Sequence, residues 1–198
     1  MAKYNNPHVT RNTPRMGNAL SRGIGAFILF VLGWKIKGQL ADEKKAVLIG
    51  APHTSNLDFF LAMGSMLSVG LRFSWMMKKE AFFFPFKGLL LKLGGVPIDR
   101  ASRQDITKQM ADWFGTQDIA WLGLTPEGTR SKVDSFKRGY LRIAYAAKVP
   151  VFLVAVDGKN KEVVLDRLWP LTGDIERDNS DIKAYYDKTF VGVNPEKS

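Results

Sequence analysis

From residue 46 onward, apolar stretches of strand length alternate with segments of helix length, and no other feature of the sequence restricts the fold as strongly. Such alternation is typical of α/β proteins, in which helices flank a mostly parallel or mixed central sheet. The pattern predicts strands at 46–51, 72–77, 119–124 and 151–156, and helices at 58–69, 103–114 and 139–148. A chain of 198 residues can bury one substantial core and is short for two. We therefore expect a single layered α/β domain.

The residues ahead of this pattern have a different character. The first 23 are rich in Asn, Pro and Gly, which predicts an extended or weakly ordered basic arm. The apolar run at 24–34 is too short to span a bilayer, and the Lys35 and Lys37 that follow it do not suit a signal-peptide cleavage site. We interpret residues 1–45 as a basic arm and a short interfacial helix that contacts a membrane. The alternative is a helix that packs on the core.

A second apolar segment lies at 81–93 and contains four phenylalanines and four leucines, with Lys87 and Lys92 among them. One interpretation is a helix buried in the core. The other is an exposed segment whose lysines reach past the apolar surface to water, so that its aromatic rings enter a bilayer or line an acyl groove.

The charge of the chain restricts its partners. The net charge is +10, and it is uneven, because the first 50 residues carry +6 and the last 48 carry −2. A basic surface of this kind attracts nucleic acid or anionic phospholipid headgroups. The sequence has no zinc-ligand set, no RNA-recognition signature and no basic helix with interleaved aromatic residues, so we expect no nucleic-acid partner. The absence of cysteine also excludes disulfides and a thiolate nucleophile.

His53 is the first candidate for catalysis. It follows the predicted buried strand at 46–51, and loops that leave strand ends are common catalytic positions. A His can accept a hydroxyl proton near neutral pH if an acceptor holds its other ring nitrogen. Asp58, five residues later, can be that acceptor, or it can be the N-cap of the next helix. A Gly-x-Ser-x-Gly elbow, the signature of a serine hydrolase, does not occur.

Two further segments place an arginine after a predicted strand. Residues 125–131 read Thr-Pro-Glu-Gly-Thr-Arg-Ser and end with Arg130, while residues 94–100 read Gly-Gly-Val-Pro-Ile-Asp-Arg and end with Arg100. A guanidinium is a planar fork that binds phosphate through two hydrogen bonds. Two such forks can orient one phosphate, although Arg100 can equally form a surface salt bridge with Asp99.

Together these segments resemble the glycerolipid acyltransferase family typified by lysophosphatidate (1-acylglycerol-3-phosphate) acyltransferase. That family has a His-x4-Asp block, a block bearing an Arg, a Pro-Glu-Gly-Thr-Arg block and an apolar block with Pro. The four blocks occur here in that order, at 53–58, 95–100, 126–130 and 149–154. The resemblance extends from residue 46 to residue 157, and it identifies 46–198 as an acyltransferase domain. The interior of the first block, Asn56-Leu57, departs from many relatives, which leaves the identity of the acceptor open.

The resemblance implies that a fatty acyl chain moves from acyl-CoA or acyl-ACP to the hydroxyl of a lysophospholipid, in the first place 1-acylglycerol-3-phosphate. His53, oriented by Asp58, would be the general base. The substrate-binding residues would be Arg100, Glu127, Gly128, Thr129 and Arg130. The family resemblance implies no metal and no bound cofactor, since the acyl thioester is a co-substrate.

The resemblance also bears on where the protein works. Many relatives carry a transmembrane anchor, whereas the residues ahead of the first block offer at most one short apolar helix. We therefore expect peripheral or monotopic attachment to an anionic membrane, on the cytoplasmic face of the inner or plasma membrane, in phospholipid biosynthesis. Two alternatives stay open: acylation of another lyso-lipid such as a lyso-aminolipid, and a non-enzymatic protein that binds anionic phospholipid.

Overall fold

Helices and strands alternate along most of the chain in the computed structural model, which describes residues 6–99, 101 and 105–197. The helices are α1 (Ala19–Leu32), α2 (Leu57–Val69), α3 (Lys87–Leu93), α4 (Ile106–Gly115), α5 (Gly139–Ala147) and α6 (Ile175–Thr189). The strands are β1 (Lys35–Gly38), β2 (Lys45–Ala51), β3 (Trp75–Lys78), β4 (Gly95–Ile98), β5 (Ala120–Leu124), β6 (Val151–Asp157) and β7 (Glu162–Trp169). Single 3-10 turns lie at Lys79–Ala81 and Pro195–Lys197.

The central sheet is mixed and has the strand order β1-β7-β6-β2-β5. Strand β2 lies in the interior and pairs in parallel with both β5 and β6. Strand β7 runs antiparallel to β6 and parallel to β1 at the edge. Strands β3 and β4 form a small parallel sheet that a bridge between Ser74 and Leu122 connects to β5. The carboxyl ends of β2, β5 and β6 therefore lie along one edge.

Helices cover both faces of the central sheet, because successive side chains of a strand point to opposite faces. On one face, Val47, Ile49 and Ala51 of β2 pack in a cluster with α4, α5 and α6. On the other face, Ala46 and Leu48 lie in a cluster with the end of α2 and with Val9 and Leu40. The expected fold, a single α/β domain with a mixed sheet flanked by helices, is confirmed.

Helix α1 packs closely against α2 on the second face. A Cβ added to Gly25 would lie 2.3 Å from the Ser68 nitrogen and 2.6 Å from the Gly64 oxygen, so the two helix backbones nearly touch. The outward face of α1 stays exposed, with Phe30 at 79%. One side of the helix therefore packs on the core, as the alternative interpretation expected, and the other side is exposed and apolar. Contact of that exposed side with a membrane stays a prediction. In the part of the chain that the structure describes, no helix is long and apolar enough to cross a membrane.

The segment 81–93 follows the exposed interpretation. Its large side chains are mostly accessible, and Phe84 is 92% exposed. The segment runs from the last residue of the 3-10 turn, Ala81, to the end of α3, and β4 follows it.

Most of the predicted elements occur with small differences in length. The strand predicted at 72–77 is the shorter β3, and the helix predicted at 103–114 begins at α4's Ile106, with residues 103 and 104 outside the described part. Helix α1 begins five residues before the predicted apolar run, because Asn18 and Ser21 form a capping box. Strands β1 and β7 and helix α6 were not predicted. Strand β1 precedes the domain boundary predicted after residue 45 and yet pairs in the main sheet.

Candidate active site

The loops that follow β2 and β5 lie side by side, because the two strands are parallel neighbours and end at the same edge of the sheet. The first loop carries His53 and leads into α2, and the second carries Glu127. The backbone N–H of His53 donates a hydrogen bond of 2.7 Å to Oε2 of Glu127. Two sequence segments 74 residues apart thereby form one site.

His53 and Asp58 form a hydrogen-bonded pair in this site. Nδ1 of His53 lies 3.0 Å from Oδ2 of Asp58, and the side chains are 21% and 4% exposed. The same carboxylate oxygen accepts the backbone N–H groups of Thr54 at 2.7 Å and Ser55 at 2.8 Å. Because an acceptor faces Nδ1, the neutral imidazole carries its proton there and keeps a lone pair on Nε2. The pair therefore has the arrangement that a general base requires.

Asp58 is not the N-cap of α2, which was its alternative role. The N-cap is Asn56, and Asp58 lies two residues further on, in the first turn. Its carboxylate turns back to the loop and to the imidazole. A negative charge at this end of a helix is also stabilised by the helix dipole.

Glu127 is buried beneath the loop surface, with 8% of its surface exposed. Burial raises the pKa of Glu127 to about 7, and the hydrogen bond from the His53 backbone N–H opposes this rise. Sequence reasoning placed Glu127 among the substrate-binding residues and did not foresee its bond to the His53 backbone. In the structure this carboxylate joins the Pro-Glu-Gly-Thr-Arg loop to the His loop.

The second loop is exposed beyond Glu127. Gly128 has a positive φ of 63° and donates its N–H to the Thr125 carbonyl at 3.2 Å, which closes the turn. Thr129 and Arg130 follow on the surface, so the Arg130 guanidinium is accessible to an anion. A Cβ added to Gly128 would lie 2.7 Å from Nζ of Lys137, so the end of this flexible side chain would have to move.

The predicted phosphate ligand Arg100 lies outside the described residues. Its neighbour Asp99 directly follows β4, and Oδ2 of Asp99 lies 2.6 Å from Nζ of Lys79. Strand β4 is parallel to β3, and the bridge from Ser74 to Leu122 is parallel too, so Asp99 lies toward the same edge as His53. Within the described residues, no three His, Asp or Glu side chains are grouped as metal ligands.

A cleft of about 290 Å³ lies beside Glu127, between the second loop and α6. The residues that line it are Ala51, Pro52, Glu127, Lys132, Val133, Phe136, Lys183, Tyr186, Asp187, Phe190, Val191 and Pro195. Sequence reasoning missed the contribution of α6 and of the residues after it. Asn194 also reaches the His loop, where its backbone N–H donates to Oγ1 of Thr54 at 3.0 Å.

Comparisons with known proteins agree with this fold. The sequence model of the Acyltransferase family matches residues 34–157, which is more than half of the chain and includes His53, Asp58 and the second loop. The chain therefore belongs to the acyltransferase family. Among relatives, it is 30% identical over 118 residues to the chloroplastic 1-acyl-sn-glycerol-3-phosphate acyltransferase LPAT1 of Arabidopsis thaliana. The aligned part is 56% of this chain and 33% of that protein, so the chain spans about a third of the relative's length.

A solved structure has the same fold. It is the 1-acyl-sn-glycerophosphate (LPA) acyltransferase PlsC of Thermotoga maritima, with a TM-score of 0.57 and 19% sequence identity. The superposition covers 85% of this chain and 78% of PlsC. The structural superposition therefore covers more of the chain than the family model, which matches residues 34–157.

Proposed function

We propose that the protein transfers a fatty acyl chain from acyl-CoA or acyl-ACP to the hydroxyl of a lysophospholipid, with 1-acylglycerol-3-phosphate as the first candidate acceptor. The observation that carries the proposal is the 3.0 Å contact between Nδ1 of His53 and Oδ2 of Asp58, within the region that matches the acyltransferase family. The two relatives described above are named as acyltransferases of this acceptor class.

In the proposed reaction, Nε2 of His53 removes the proton from the acceptor hydroxyl as its oxygen attacks the thioester carbonyl carbon. The C–O bond forms, and the tetrahedral intermediate then collapses with cleavage of the C–S bond. The thiolate of the carrier leaves and takes the proton from the imidazolium, so the products are the ester and the free thiol. Asp58 holds the imidazole in the required tautomer, and a base positioned in this way contributes about 10²–10⁴-fold to the rate.

Arg130 and Arg100 are proposed to bind the acceptor phosphate. Support for Arg130 comes from its exposed position, three residues after Glu127. Arg100 follows Asp99 in a sequence that lies toward the edge bearing His53. A lyso-aminolipid acceptor lacks this phosphate and would make both arginines dispensable.

The enzyme is proposed to work while attached peripherally or monotopically to an anionic membrane, on its cytoplasmic face. Support comes from apolar side chains that the fold leaves in contact with solvent on α1, at the start of α2 and in the segment 83–91. The exposed residues are Leu20, Ile24, Phe27, Phe30, Val31, Phe59, Phe60, Phe83, Phe84, Phe86, Leu89 and Leu91. Helix α2 begins directly after the His loop, so a bilayer at Phe59 and Phe60 would present its lipids next to His53.

The test is an acyl-transfer assay with purified protein. Detergent-dispersed lysolipids are incubated with radiolabelled acyl-CoA and, separately, acyl-ACP, and the products are resolved by chromatography for wild type, His53→Ala and His8→Ala. We expect a labelled diacyl product with wild type and His8→Ala, and none with His53→Ala. His8 is a matched control because its ring bonds to the Gly38 carbonyl, away from the site.

A second candidate function is the binding of anionic phospholipid without catalysis, and the exposed apolar side chains favour it. The same preparations distinguish the two functions. Binding of wild type to anionic vesicles, together with the absence of product for every donor and lysolipid, would support the second candidate and contradict the first.

A further inference from the structure

The chain that follows α6 runs across the end of the sheet and forms a hydrogen bond with the His loop. We call residues 190–194 the strap. Phe190 is buried in the core cluster of α6, and Val193 packs with the cluster that contains Leu29, Trp34 and Leu61. The strap is therefore fixed at both ends by apolar packing. It lies outside the region 34–157 that matches the family.

The strap crosses the end of β6 in close backbone contact with Gly158. The N–H of Gly158 donates to the Val191 carbonyl at 2.6 Å. A Cβ added to Gly158 would lie 2.4 Å from the Gly192 oxygen and 3.0 Å from Cα of Val193. Real Cβ atoms do not approach backbone atoms so closely, so any side chain at 158 would push the strap away from the sheet.

At its far end the strap donates a hydrogen bond to the His loop. The backbone N–H of Asn194 donates to Oγ1 of Thr54 at 3.0 Å, and Thr54 is 2% exposed. Thr54 follows His53 directly, and its own N–H donates to Asp58 at 2.7 Å. The Thr54 hydroxyl therefore connects the strap to the loop that carries His53 and leads to Asp58. The two bonded residues, Thr54 and Asn194, are 140 positions apart in the sequence.

We propose that Thr54 is a positioning residue for acyl transfer, and that the strap, seated on Gly158, fixes the loop in the conformation that pairs His53 with Asp58. The proposal rests on the proposed function for its catalytic consequence. Physically, residue 54 lies between the base and the group that orients it. Any rotation of the loop at this residue changes the distance from Nδ1 to Oδ2, and small displacements of a catalytic group are costly.

The experiment compares four variants of the full chain. Thr54→Val keeps the shape of the side chain and removes the acceptor, while Thr54→Ser keeps the hydroxyl. Gly158→Ala displaces the strap without a substitution in the loop itself. Gly115→Ala is its matched control, because an added Cβ there meets no atom within 4 Å. Each variant is examined by thermal unfolding, by kcat and KM for acyl transfer, and by NMR titration of the histidine rings.

The NMR measurement does not need activity. The chain contains two histidines, so His8 serves as an internal reference for the titration of His53. We expect the His53 titration midpoint to shift in Thr54→Val and Gly158→Ala and to stay at the wild-type value in Thr54→Ser and Gly115→Ala. We expect kcat to fall about 10- to 100-fold in the first two variants, with KM unchanged, as for a misplaced catalytic group.

Two outcomes would overturn the proposal: an unchanged His53 titration and kcat within twofold of wild type in folded Thr54→Val, or the same loss in Thr54→Ser as in Thr54→Val. If Thr54→Val does not fold, Gly158→Ala decides by the same measures. If wild type makes no product with any donor and acceptor, the proposed function fails, and the His53 titration alone decides whether the strap positions the loop.

Discussion

Three donors converge on one oxygen of Asp58, and this convergence explains why His53 is held in a single orientation. Oδ2 accepts from the imidazole and from the backbone N–H groups of Thr54 and Ser55. We expect Asp58→Asn to lower kcat by about 10²–10⁴-fold, because an amide does not hold the imidazole as a base and the contribution of a positioned base is of that size. Steady-state kinetics and vesicle binding measure the effect; normal turnover of the folded variant would contradict the pair's role.

The buried carboxyl group of Glu127 predicts a pH dependence of stability. Its pKa rises from 4.5 to about 7 on folding. The folded state therefore holds this proton while the unfolded state releases it, so the stabilising contribution is fully present below pH 4.5 and is lost as the pH rises through 7. The loss is at most about 3.5 kcal/mol, at about 1.4 kcal/mol per pKa unit.

The matched variant for this prediction is Glu127→Gln, which keeps an acceptor for the His53 N–H but cannot ionise. Urea unfolding of both proteins is followed from pH 4 to pH 8. We expect the free energy of unfolding of wild type, relative to Glu127→Gln, to fall across this range and to level off above pH 7. A difference that does not depend on pH would show that Glu127 titrates normally.

Arg130 provides a test of the acceptor class. If the acceptor carries a phosphate, Arg130→Ala removes a charge-assisted contact, and KM for the acceptor should rise about 10- to 100-fold, corresponding to about 1.5–3 kcal/mol. Lys132→Ala is a suitable control, because Lys132 is a neighbouring exposed cation that lines the cleft beside Glu127. Equal KM values for Arg130→Ala and wild type would point to an acceptor without a phosphate at this position.

The sequence predicts individual site residues well where the contact is local and poorly where it is not. His53 and Asp58 are only five residues apart, in one loop and the first turn of α2, so the sequence offered their pairing as one of two interpretations of Asp58. The bond between Glu127 and the His53 backbone joins positions 74 residues apart, and that between Thr54 and Asn194 joins positions 140 apart. Such contacts depend on strand order and on the path of the strap, which local patterns do not determine.

At the scale of elements, the packing of α1 on α2 depends on two facing glycines. Gly25→Ala would add a Cβ 2.3 Å from the Ser68 nitrogen, so the helices must separate, at a cost of about 1–3 kcal/mol for overpacking. Gly23→Ala in the same helix meets no atom within 4 Å and should stabilise the helix by up to about 1 kcal/mol. Denaturant unfolding compares the two; equal stability would contradict the close backbone contact.

The elements that sequence analysis missed have identifiable causes. Strand β1 has four residues with alternating lysines and borders the sheet, so it lacks the apolar run of a buried strand. Helix α6 is largely polar, and its buried side includes Asp178 and Asn179 beside Ile182 and Tyr186. Its N-terminus was readable, because Asp174 caps the helix at the amides of Glu176 and Arg177. A weak apolar stripe made the cap easy to overlook.

At the scale of the whole molecule, we expect the basic charge and the exposed apolar side chains both to contribute to binding at an anionic membrane. The net charge of +10 is concentrated in the first 50 residues, and α1 lies within them. Electrostatic attraction to anionic headgroups acts over about a Debye length and weakens with salt. Insertion of aromatic side chains adds an apolar contribution that salt does not weaken. The two contributions are therefore separable in a single binding measurement.

We expect wild type to float with anionic phospholipid vesicles, and the double variant Phe27→Ser/Phe30→Ser to lose at least about tenfold in affinity, since burial of one Phe contributes about 1.5–3 kcal/mol. Ile119→Ser is the control: Ile119 is also exposed, but it precedes β5 and so lies at the opposite edge of the sheet from His53. A loss in the control equal to that of the double variant would mean that general apolarity drives binding. If salt alone abolishes binding and the double variant binds like wild type, the attachment is electrostatic and α1 does not enter the bilayer. If affinity for the vesicles falls in the double variant and not in Ile119→Ser, the bilayer contacts α1. Helix α1 packs against α2, which directly follows the His loop.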